Sequence, residues 1–252
     1  MRAAIAFVLM YFTFDRLAAV LGSTRGEAGL VVCAAVLALA LGAERWLTRA
    51  RLGDCARSLG LGAPAPRALL AAMGLSLALL ACLPLLAMIT GVELLTRENA
   101  TWLALGMLAQ GGVAEEVLFR GFMYRHLRST RTFWRAATLS ALPFAAAHVP
   151  LFFTLDASVA VLALAMAIAW SFPLAWLFDR AGGSIWPGAV LHGVIQAGIK
   201  LLVDHSPAFQ SLALAWVALG LAAPWLFFVL LRRSANRELD VARAASRQGA
   251  AR

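Results

Sequence analysis

The stretch Ala114-Glu115-Glu116-Val117-Leu118-Phe119-Arg120 sets two carboxylates and a guanidinium inside an otherwise apolar run. Ionisable groups at bilayer depth cost several kcal/mol each and are usually kept for work on a substrate, an ion or a proton. A carboxylate in such a place can take a proton from water and give it back, which is the task of a general base. Two later apolar segments carry His148 and His192, and Gln196 follows His192 by one helical turn. An imidazole and a primary amide on one helix face can both donate hydrogen bonds to an oxyanion. One carboxylate with two imidazoles is also a known catalytic zinc set with an open position for water. The local His-Glu-x-x-His arrangement that often carries zinc is not present.

Composition places these groups in a membrane. The chain has 252 residues, of which 62% are hydrophobic and 14% charged, and its mean hydropathy is +0.80. Those values lie outside the range of soluble domains and indicate a polytopic helical membrane protein. The net charge of +9 is spread over short basic runs between apolar stretches, which argues against a nucleic-acid face and for topology signals and anionic lipid contacts. Cys33, Cys55 and Cys82 have no spacing that suggests a disulfide framework or a metal site.

At about 20 residues per span, the apolar pattern predicts eight helices: 3–21, 29–47, 68–90, 101–124, 134–149, 158–178, 184–203 and 208–231. The first resembles a short signal peptide up to Phe14, but no clear cleavage site follows and it is taken as a helix. Pro143 interrupts the fifth and Pro150 marks its end, while Gly182 and Gly183 predict a tight turn. Residues 1–252 then form a single transmembrane domain, with a basic cytoplasmic tail at 232–252. With eight spans nearly all arginines outside the helices fall on one side, and only Arg25 and Arg97 fall on the other. Both termini are therefore expected in the cytoplasm. Glu115, His148 and His192 then lie roughly 14, 21 and 12 Å from the cytoplasmic helix ends, all in the middle region of the bilayer.

Within the fourth helix, Glu116 and Arg120 are four apart in the order that favours an ion pair. Glu115 is rotated by about 100° from Glu116, so the two carboxylates need not share a task. The simplest division pairs Glu116 with Arg120 structurally and leaves Glu115 for chemistry. Phe144 is expected to pack beneath the group, and no role is expected for His126 or His205.

In sequence these residues resemble the CPBP family of intramembrane proteases, which includes the type II CAAX prenyl proteases and their bacterial relatives. The family pattern is Glu-Glu-x-x-x-Arg, then Phe-x-x-x-His, then His-x-x-x-Asn. Here it reads Glu115, Glu116 and Arg120, then Phe144 and His148, then His192 and Gln196. The resemblance covers about residues 101–203 and implies a protease-like core there. It implies an intramembrane endopeptidase in which Glu115 activates water, His148 holds and polarises that water, and His192 with Gln196 stabilises the oxyanion. Gln196 departs from the usual Asn by one methylene. No cofactor is expected on that reading, with zinc as the alternative. The expected substrate is a peptide or membrane-anchored protein, and the expected location is a bacterial inner membrane. A reading from another class is a non-catalytic membrane factor, transporter-like or an immunity protein, that uses the same polar cluster for binding.

Overall fold

The structure is a computed structural model that describes residues 2–21, 28–154, 156–203 and 207–249, with side chains described as far as Leu231 apart from Pro207. Arg25 and His205, and the side chains of the basic tail, lie outside the described residues. Helices α1 (Arg2–Leu21) and α2 (Gly29–Thr48) precede a short α3 (Leu52–Ser58) and a long α4 (Pro66–Thr90). Helix α5 occupies residues 100–128 in consecutive pieces, Ala100–Met107, Leu108–Ala114, Val117–Tyr124 and Arg125–Arg128. Helix α6 (Phe133–Ala146) is followed by a 3-10 turn, Val149–Phe153, and then by α7 (Ala157–Arg180). Helix α8 (Trp186–Gly198) ends in a 3-10 turn, Ile199–Leu201, and α9 (Pro207–Gly249) closes the chain, continuing as helix into the expected tail. Among the described residues the only strand-like pairing is an isolated bridge between Thr96 and Leu202. The molecule is an all-α polytopic bundle.

Among the described residues six segments are long and apolar enough to cross a membrane: Arg2–Leu21, Gly29–Thr48, Pro66–Thr90, Phe133–Phe153, Ala157–Arg180 and Ala208–Leu231. The other two expected spans fall short for physical reasons. Helix α5 carries Glu115, Glu116 and Arg120 in its middle, and α8 has 13 residues, about 20 Å of helix against a hydrocarbon core of about 30 Å. These two hold most of the predicted site. The apolar windows of the six are at most 44% buried, leaving wide faces such as Leu70, Leu77 and Met88 of α4 turned outward. From Ala109 to Phe122, by contrast, α5 is buried at every position except Val113.

Without a hydrophobic driving force between helices in lipid, close approach depends on small residues. Helices α5 and α8 meet this way. A Cβ added at Gly112 would sit 2.7 Å from the Ala189 carbonyl oxygen, and one at Gly193 would sit 2.7 Å from a Leu108 methyl. Both ends of the pair are pinned. At one end Arg97 N–H donates to the Leu201 carbonyl (2.9 Å) and Val203 N–H to that of Leu95 (2.8 Å). At the other, the segment 59–62 reaches both helices. Ile185 N–H donates to the Gly60 carbonyl (2.9 Å), the Ser184 hydroxyl to the Gly62 carbonyl (3.0 Å) and the Trp186 indole to the Leu61 carbonyl (3.3 Å). Gly121 of α5 packs so tightly on the Leu59 backbone that no side chain fits there.

Candidate active site

The glutamates sit where α5 changes pitch. Helical turns before and after them are widened to π type, with the Glu115 N–H reaching the Gln110 carbonyl and the Arg125 N–H that of Arg120, each five residues back. Such turns are rare and concentrate at functional sites.

Glu115, Glu116 and His192 form one group. The His192 Nδ1 donates to Glu116 Oε1 at 3.0 Å, and its Nε2 faces Glu115 Oε2 at 3.8 Å. The two nitrogens lie on opposite sides of the ring, so the angle between successive helical residues lets the carboxylates embrace the imidazole. Rotation about the helix does separate them, yet both address the same partner. Arg120 Nη1 donates to Glu116 Oε1 at 2.8 Å, which forms the anticipated pair and makes that oxygen a shared acceptor. Glu115, Glu116, Arg120 and His192 are at most 5% exposed. Glu115 Oε2 is buried and has no hydrogen-bond partner among the described residues. A Cβ at Gly188 would come to 3.0 Å from Glu116 Oε2, so this glycine lets α8 lie against the carboxylate.

Phe144 of α6 lies among these groups. The Arg120 guanidinium stands 4.6 Å from its ring centre, with the rings of His148 at 5.3 Å and His192 at 6.1 Å. His148 is half-buried in the turn just after α6, which ends at Ala146 and not at the expected 149, and points Nδ1 at the Phe144 carbonyl (2.9 Å). A carbonyl only accepts, so Nδ1 carries a proton. Trp170 of α7 closes another side of His192, ring to ring at 5.2 Å, and is held by its indole N–H on the Gly220 carbonyl (2.9 Å). Gln196 lies one turn beyond His192 on α8, its Oε1 buried without a hydrogen-bond partner among the described residues and directed at Gly111 of α5.

Two residues escaped the sequence reading. Glu44, 1% exposed near the end of α2, lies 2.7 Å from Arg125 Nη2 and 3.9 Å from His126 Nε2, and it accepts from the Ser58 hydroxyl at 3.0 Å. His126, expected to have no role, is part of that second, partly buried group. A carboxylate within the apolar stretch 29–47 was the available signal. Gly111 had no signal, since its importance comes from a neighbour 85 positions away in sequence.

Among the described residues no three His, Cys, Asp or Glu side chains converge closely enough to hold a metal ion. As arranged, Glu115, His148 and His192 are not close enough together to share one metal ion. Two surface grooves, about 370 Å³ beside Arg131, Trp134 and Arg135 and about 310 Å³ beside Arg97 and Lys200, include none of the predicted site residues.

Bundle and buried polar group together define a multi-pass membrane protein with an internal polar centre. Residues 97–198 match the family model described as type II CAAX prenyl endopeptidase Rce1-like. Over that segment the chain is similar to the CAAX protease-like family of membrane proteins, and the match indicates a protease in general terms. No curated protein matches the chain.

Proposed function

We propose that this chain is an intramembrane endopeptidase that hydrolyses a peptide bond of a membrane-associated protein or peptide with water activated by Glu115. The observation that carries the reading is the His192 ring held between two buried carboxylates, one of them paired with Arg120 and the other with an unsatisfied oxygen. A buried polar atom left without a partner is uncommon in native structures and calls for an explanation such as catalysis.

The chemistry follows from the hydrogen-bond directions. Glu115 takes one proton from water as the water oxygen bonds to the scissile carbonyl carbon, and the carbonyl π pair moves to its oxygen. His148, its Nδ1 proton committed to Phe144, offers Nε2 to the other water hydrogen. His192, its Nδ1 proton committed to Glu116, must carry a second proton to donate from Nε2. The oxyanion then accepts from His192 Nε2 and the Gln196 amide. Collapse restores the carbonyl, breaks the C–N bond and passes the proton from Glu115 to the leaving nitrogen. Glu116, Arg120 and Phe144 hold the ring and the helix in register. On this reading residues 101–203 are the catalytic core of a single transmembrane domain, located in a bacterial inner membrane with both termini in the cytoplasm.

The test is comparative proteomics of a deletion strain carrying either the wild-type chain or Glu115→Gln. Accumulation of the same uncleaved membrane-anchored or peptide substrates in the deletion and Glu115→Gln strains is the expected result. Identical processing by the two chains overturns the proposal and favours a binding protein. Chelation of the purified protein separates the zinc alternative, since loss of activity restored by added zinc would contradict the metal-free mechanism.

A further inference from the structure

Resting on the proposed protease reading, we infer that Gly111 is a positioning residue whose missing side chain is the socket for the Gln196 carboxamide. A Cβ built at position 111 would overlap the Gln196 amide oxygen itself, and that oxygen is buried with no hydrogen-bond partner among the described residues. The packing of Gly111 therefore fixes where the amide group lies, and hydrogen bonding to its oxygen does not. The adjoining glycine behaves differently. A Cβ at Gly112 would meet the backbone carbonyl of Ala189, an atom that moves only with α8 as a whole. Position 111 faces the far end of a flexible side chain, so a methyl group there displaces the amide and leaves the helices in place. Gln196 shares its helix face with His192, one turn away, so displacing the amide moves it relative to that ring. Shortening Gln196 to asparagine withdraws the amide by one methylene and makes room for the methyl group.

The experiment is a double-mutant cycle on the purified full chain, with Gly111→Ala, Gln196→Asn and the pair, and with Gly112→Ala in both backgrounds as the control. Thermal unfolding in detergent reads the socket without any need for catalysis. Gly111→Ala is expected to lower Tm by about 3 °C when Gln196 is present and by less than about 1 °C alongside Gln196→Asn. Gly112→Ala is expected to lower Tm equally in both. Turnover of the substrate found by the Glu115→Gln comparison reads positioning. There Gly111→Ala is expected to reduce kcat by about 10²-fold with KM little changed, as for loss of one oxyanion donor, and Gln196→Asn is expected to restore most of that loss. Equal Tm losses from Gly111→Ala in both backgrounds overturn the socket. Thermal coupling without coupling in kcat overturns the positioning role. If the wild-type chain cleaves nothing, the protease reading fails and the positioning role with it, whereas the thermal cycle still decides the socket.

Discussion

Leu77 of α4 and Gly112 of α5 lie in stretches of similarly apolar sequence, but the first is 64% exposed and the second lacks room for a methyl group. The same difference separates the outer helices from the α5–α8 pair. Each outer helix keeps more than half of its apolar window uncovered, in the manner of a surface solvated by lipid. From Ala109 onward the pair is mostly covered, meets through glycine, and holds Glu115, Glu116, Arg120 and His192. Hydropathy measures what lipid would accept. It therefore reads all eight segments as spans and does not tell the outer helices from the two that hold the buried polar group.

The comparison can be broken most severely at Arg120. Arg120→Met leaves Glu116 charged and enclosed beside His192, and loss of one partner of a buried pair costs about 3–5 kcal/mol. Thermal unfolding should show a fall in Tm on the order of 10 °C; a change of a degree or two would mean that Glu116 does not depend on the guanidinium. Glu44→Ala should act more mildly. It leaves Arg125 and His126 facing an empty acceptor position, but Arg125 is partly solvated, and a loss of about 1–2 kcal/mol is expected by the same measurement. Unchanged stability would make the Glu44 group a solvated contact. Leu77→Ala, on the outward face of α4, should change stability by less than about 0.5 kcal/mol. A larger loss would place that face against protein.

The order of the three motif groups, and the helical placement of all but His148, were legible because residue type and local spacing encode them. Glu116 and Arg120 sit four apart, as do Phe144 and His148, and His192 and Gln196. The embrace of His192 by both glutamates was not legible, since it depends on how α8 lies against the widened turns of α5. The role of residues 59–62 was hidden for a related reason. That segment reads as part of a basic loop, and its carbonyls matter only once Ser184, Ile185 and Trp186 come to meet them. Local periodicity says which residues share a face. It does not say which two faces will touch.

The most direct measurement is the cleavage rate of purified Glu115→Gln against wild type in liposomes, with thermal unfolding recorded on the same samples. Gln keeps the size of the side chain and removes its ability to take a proton, so the account predicts a fall in rate of at least about 10³-fold with Tm little changed. Cleavage at the wild-type rate by a folded Glu115→Gln protein would contradict it.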